Sequence, residues 1–99
     1  MTDSTKQQVH VFYTGRVQGV GFRYLACQTA QQWQMQGWVR NLTDGRVELV
    51  AIGEATALRE FLDALRHGPL ERCILDAQVE WGSPMRMYED FHIRPTGTL

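Results

Sequence analysis

Several absences narrow this chain before any motif is read. No apolar run approaches the ~20 residues that a bilayer-crossing helix needs, so no membrane span is expected. Cysteine is down to two residues, Cys27 and Cys73, too far apart to match a zinc or redox motif. With no signal peptide ahead of them, the simplest reading is a reduced, cytoplasmic protein in which both thiols serve as small apolar side chains. A basic excess is missing too. The formal net charge is −1, which argues against a broad nucleic-acid or membrane-surface face. Lysine is nearly absent, with Lys6 alone beside nine arginines. That weighting suits forked anion recognition and follows equally well from genomic composition. There is no repeat, low-complexity tract or linker, so 99 residues make a single domain. Met1–Gln8 is polar and without period and is expected to fray, leaving 9–99 as the ordered domain.

What is present is concentrated in one stretch, Gly15 to Arg23, GRVQGVGFR. Gly15, Gly19 and Gly21 permit positive φ and close approach to a ligand, so successive N–H groups of Arg16, Val17, Gln18, Val20 and Phe22 can turn onto one oxyanion. Phe22 begins an apolar helical period, which puts the end of the loop and Arg23 at a helix start, where anions are favoured. The spacing is not that of a P-loop, since no Lys-Ser/Thr pair closes it, and it lacks the third glycine and later acid of a dinucleotide site. Glycine content alone favours a plain strand-to-helix connection. Arg23 favours the anion cradle, because a cation beside a helix N-terminus is on the unfavourable side of the dipole unless an anion lies between.

Around this loop the chain alternates strands and helices. Val9–Thr14 reads as a strand with Val9, Val11 and Tyr13 on one face and His10 and Phe12 on the other. Phe22, Leu25, Ala26, Thr29, Ala30 and Trp33 form one helical stripe, with Gly37 as its expected stop. Trp38–Leu42 and Arg46–Ile52 flank Thr43-Asp44-Gly45 as a hairpin. Gly53 and Glu54 are expected to open a second helix carrying Leu58, Phe61, Leu62 and Leu65, stopped by Gly68 and Pro69. Cys73–Trp81 alternates as a half-buried strand, and Phe91–Arg94 makes a short last one. This order predicts an α+β, ferredoxin-like split βαβ sandwich: an antiparallel sheet of four main strands plus a short terminal strand, with two helices on one face. The first and third main strands should be central.

Asn41 is the second anomaly, since asparagine is depleted in strands because its amide competes with the ladder. It either faces solvent near the hairpin or carries chemistry. With its strand expected at a sheet edge, periodicity alone does not bring it to Arg23. Taken together, GRVQGVGFR, the later GWVRNLTDGRVELVAIG (Gly37–Gly53), HGP and FHIR resemble the acylphosphatase family over essentially the whole ordered chain. The resemblance implies a small enzyme that hydrolyses carboxyl-phosphate anhydrides without metal or cofactor. It further implies that Arg23 and the amides of Val17 to Phe22 bind the phosphoryl group while Asn41 holds the attacking water. Partners would be a small acyl phosphate and, as product-like ligands, inorganic phosphate or sulfate, with no nucleic acid and no membrane. The lack of an obvious exposed apolar stripe points to a monomer. Leu42 departs from the small polar residue many relatives carry after the asparagine, and Leu70–Cys73 (LERC) departs from a small or proline-rich pattern.

The residues agree with that chemistry. An acyl phosphate already has a carboxylate leaving group, so positioning and charge stabilisation matter more than a general acid. His10, His67 and His92 are scattered and read as structural or exposed, and Asp44, Glu48 and Glu54 form no metal spacing, Asp44 being a turn residue. The rival reading is a ferredoxin-like binding module for RNA or a small anion, which would need exposed rings and a basic rim on the open sheet face. Trp33, Trp38 and Trp81 are instead expected in the core. A domain of a larger carbamoyl-phosphate-handling enzyme is a third possibility, against which an ending at Pro95–Leu99 favours a free-standing protein.

Overall fold

The computed structural model describes residues 6–99. Its elements are β1 (Lys6–Gly15), α1 (Phe22–Gln32), β2 (Gln36–Asn41), β3 (Val47–Glu54), α2 (Ala55–Arg66), β4 (Ile74–Gly82) and β5 (Phe91–Ile93). They form one sheet in the order β4-β1-β3-β2-β5, so β1 and β3 are central as expected. The four main strands pair antiparallel, and β5 adds in parallel beside β2, which moves β2 away from the edge where it was expected.

Period-two alternation decides the faces. Val9, Val11 and Tyr13 of β1, Val47, Leu49 and Ala51 of β3, and Val39 of β2 turn to the helices and are buried. They meet Phe22, Ala26 and Ala30 of α1 and Leu58, Phe61 and Leu65 of α2 in one core. Fully burying a Val, Leu or Phe side chain is worth roughly 1.5–3 kcal/mol, so this layer fixes where the end of β1 delivers the following loop.

Four boundaries differ from the sequence reading. Lys6–Gln8, expected to be part of a frayed tail, pair with Glu54, Gly53 and Ile52 and belong to β1, while Met1–Thr5 lie outside the described residues. Helix α1 ends at Gln32 with Trp33 as its C-cap and Gln34 turning the chain at φ 56°, and not at Gly37. Gly37 sits within β2 at φ 142°, where a Cβ would run into the Val50 carbonyl of β3. Gly53 and Glu54 finish β3 before α2 begins. From Ala77 to Trp81 β4 alternates as read, with Val79 and Trp81 exposed because α2 does not extend over this edge, but a register shift opposite Thr14 and Gly15 buries Ile74 and leaves Leu75 exposed.

Candidate active site

The loop between β1 and α1 is anchored at several points. Gly15 lies against the Cys73 backbone, and the Arg16 amide donates to the Cys73 carbonyl at 2.9 Å. These two residues therefore close the sheet and leave the cradle smaller than expected, since the Arg16 N–H is already committed. Val17 is buried as an apolar peg. The Gln18 side chain turns toward the β2–β3 hairpin. Its Nε2 donates to the carbonyls of Leu42 (2.7 Å) and Arg46 (2.9 Å), tying the loop to both strands of the β2–β3 hairpin.

Beyond this tie, Gly19 and Gly21 take φ 75° and 89°, and a Cβ at either would meet no atom within 4 Å. Glycine is needed there for conformation, not for space. Gly21 is the N-cap of α1, contributes no side-chain cap, and its carbonyl accepts the first helical bond from Leu25. The amides of Phe22, Arg23 and Tyr24 are consequently the unpaired donors of the first turn. Arg23 is half-buried and forms no ion pair among the described residues. A recess of about 150 Å³ opens at this point, lined by Val17, Gly19, Gly21, Phe22, Arg23, Tyr24 and Ile93. A larger concavity lies between α2 and β4. The smaller one has the chemistry, because it combines a free helix N-terminus with an unpaired guanidinium.

Asn41 reaches the same side of the sheet. It pairs with Val47, which pairs with Tyr13, and neighbours in such a cross-strand row share a face. Tyr13 packs on Phe22, the first residue of α1, with ring centroids 4.7 Å apart. Asn41 is thus on the helix side, in the row that ends at the loop, and its main-chain neighbour Leu42 is the one Gln18 grips. Its Oδ1 is buried and accepts no hydrogen bond from the described residues. Val20, also assigned to the cradle, is partly exposed at the loop's tip.

Comparison with known proteins gives the family and its fold. The family model described as Acylphosphatase matches residues 9–93. The chain belongs to the acylphosphatase family. It is 48% identical over 88 residues to an acylphosphatase of Trichormus variabilis, covering 85% of this chain and 87% of that one. The crystal structure of acylphosphatase from Bacillus subtilis superposes with a TM-score of 0.83 at 36% identity, covering 89% of this chain and 98% of that one. An acylphosphatase structure from Coxiella burnetii gives 0.84 at 35% identity over 95% of this chain and 100% of that one. The ferredoxin-like α+β fold is therefore the family's fold.

Other polar residues are committed elsewhere. His10 and Arg40 both bond the buried Glu48, each at 2.7 Å. His67 faces Asp63 and Glu71, and His92 faces Asp90. Asp44 accepts three bonds from Arg46, whose guanidinium holds its carboxyl below the usual carboxylate range. Among the described residues, no three His, Cys, Asp or Glu side chains converge as metal ligands. Of the tryptophans, Trp81 departs from the expected burial. Trp38 is buried on the face away from the helices, between the guanidiniums of Arg40 and Arg94, Trp33 is half-buried with its Nε1 on Glu60, and Trp81 is exposed beneath Arg59. The open face thus does carry rings and arginines, with Arg46 over Phe12 as well, but the arginines already stack on the rings.

The tie made by Gln18 and the lining by Tyr24 and Ile93 were not read from sequence. Nothing in their spacing signals them, because both depend on how the hairpin and β5 dock beside the loop. Leu42, noted only as a departure, is buried with both its amide and its carbonyl engaged.

Proposed function

We infer that this chain performs the hydrolysis its family is named for, converting an acyl phosphate and water to a carboxylate and inorganic phosphate. The observation that carries the reading is the uncapped start of α1 beside an unpaired Arg23, with the unpartnered Asn41 Oδ1 on the same side of the sheet. Arg23 and the amides of the loop and first helical turn bind the three phosphoryl oxygens and stabilise them as they become equatorial. Asn41 accepts a hydrogen bond from the attacking water through Oδ1 and holds it in line with the departing carboxylate. The water's proton passes to a phosphoryl oxygen as the P–O bond to the acyl group breaks, and the electron pair leaves with the carboxylate. A carboxylate departs without a general acid, which accords with the absence of a histidine from the loop.

The chain acts as a monomer on a small acyl phosphate, with inorganic phosphate or sulfate as a product-like ligand. The reading includes no cofactor, no nucleic-acid partner and no membrane partner. Among the described residues no helix is long and apolar enough to cross a membrane; the location is taken as cytoplasmic, a compartment in which the free thiols of Cys27 and Cys73 stay reduced. The binding-module alternative is weaker, since the rings on the open face are occupied by the protein's own arginines.

The test is hydrolysis of benzoyl phosphate and acetyl phosphate with no added metal, with and without a chelator, against an ordinary phosphate monoester. Acyl phosphates are expected to be hydrolysed equally well in both conditions and the monoester poorly. Activity lost on chelation, or turnover of the monoester at a comparable rate, would overturn the reading.

A further inference from the structure

The larger concavity has no part in this chemistry. It is a cleft of about 310 Å³ between α2 and β4. It exists because Ala77, Val79 and Trp81 pair with Tyr13, Val11 and Val9 and so face the helix side, while α2 leaves them uncovered. Leu62, Ala77 and Val79 supply apolar walls. Tyr13 lines it as well and is only 1% exposed, yet its hydroxyl is hydrogen-bonded to none of the described residues. Among the described residues the fully buried unpartnered side-chain atoms are Gln36 Oε1 and Asn41 Oδ1, so the Tyr13 hydroxyl stands open at the cleft, a donor that a ligand can reach. Burial raises the Tyr13 pKa, which keeps that hydroxyl a neutral donor.

Two cations also face the cleft, Arg66 and Arg59. Neither forms an ion pair among the described residues, whereas Asp63 at the rim stands 3.8 Å from His67. Arg59 lies over the Trp81 ring at 5.3 Å, which extends the apolar wall and leaves its N–H edge available. Two guanidiniums and the hydroxyl thus outnumber the single Asp63 carboxylate, on walls that are otherwise apolar. A phosphate dianion has no use for such walls, and a neutral apolar molecule would leave the hydroxyl and guanidiniums unanswered.

We propose that the α2–β4 cleft is a second binding site, distinct from the phosphoryl loop, for a small carboxylate with an aromatic or branched apolar body, its carboxylate on Arg66 and the Tyr13 hydroxyl. The site does not depend on the assignment of the hydrolytic reaction. The test is an amide-resolved NMR titration of the whole protein with benzoate, inorganic phosphate and benzyl alcohol as probes.

Benzoate is expected to saturate with a Kd on the order of millimolar, as suits so small a ligand. It should shift amides of Ala77–Trp81 and the last turns of α2. Phosphate should shift the amides of 17–23 and leave the cleft unmoved, and benzyl alcohol should bind the cleft at least about fivefold more weakly than benzoate. Arg66→Gln should weaken benzoate about tenfold, Tyr13→Phe by less, and Arg66→Gln should leave acyl phosphate turnover and phosphate shifts as in the wild type. Benzoate shifts confined to the loop, no saturable shift at β4, benzyl alcohol binding as tightly as benzoate, or unchanged benzoate affinity in Arg66→Gln would each overturn the proposal.

Discussion

Replacing Gln18 by leucine removes a tether while keeping the bulk of the side chain. The two bonds lost run from Nε2 to the carbonyls of Leu42 and Arg46, at 2.7 and 2.9 Å. Neither carbonyl is orphaned, because Leu42 still accepts from the Gly45 amide and Arg46 from the Leu42 amide. The loss should therefore follow the net value of a hydrogen bond, about 1 kcal/mol each or about 2 kcal/mol together, without the added cost of an unsatisfied group. For a domain of this size that lowers Tm by about 10 °C. If the tie also holds the loop in register with Asn41, part of the same energy appears in the chemical step, with an upper bound of about 30-fold in kcat. Phosphate affinity should change little, since the helix amides and Arg23 remain. The assay is kcat and KM on benzoyl phosphate, inhibition by phosphate, and a thermal melt on the same preparation. Wild-type kcat in a protein that melts lower would refute the positioning role and leave Gln18 a purely structural tie. A fall in phosphate affinity equal to the fall in kcat would refute it as well.

Further expectations separate conformation from contact. Gly37→Ala places a Cβ against the Val50 carbonyl at positive φ and should cost about 2–4 kcal/mol, read as a lower urea midpoint, with a wild-type midpoint contradicting the assigned register. Gly21→Val meets no atom but must hold φ near 89°, so it should fold with a loss of about 1–3 kcal/mol and bind phosphate weakly. Unaltered phosphate affinity there would mean the amides of that turn do not touch the anion. Phosphate should raise Tm beyond a matched chloride series, by an amount equivalent to about 2.7 kcal/mol at a hundredfold excess over Kd. Equal effects of the two salts would count against an anion site.

Much of this arrangement was legible in the chain, and the gaps have physical causes. Alternation placed Val9, Val11 and Tyr13 on the core face, and the Asp-Gly signal placed the hairpin, because burial and turn geometry are local demands. Lys6–Gln8 escaped notice since they join β1 through backbone pairing with β3, which leaves no hydrophobic trace. Gly37 looks like a helix stop after a periodic run, but its role is set by the close approach of β3, a tertiary fact. The alternation of Ala77, Val79 and Trp81 was read correctly, whereas their exposure depends on how far α2 extends. At the site, Arg23 and Asn41 stood out as residues in the wrong company. That Asn41 shares a row with Tyr13 required the strand register, and that Gln18 faces the hairpin required the docking of loop on hairpin.

Arg23→Ala and Asn41→Ala, compared side by side, test the central claim most directly. Steady-state hydrolysis of benzoyl phosphate and titration with inorganic phosphate are measured on both, with circular dichroism to establish folding. Arg23→Ala should lose at least about tenfold in phosphate affinity, together with most of its turnover, because charge-assisted bonds to the phosphoryl group are gone. Asn41→Ala should bind phosphate within about threefold of wild type while turnover falls about 10²-fold or more, because its partner is the water. An Asn41→Ala protein that binds phosphate as poorly as Arg23→Ala, or one that keeps wild-type turnover, would contradict the division of labour between the two residues.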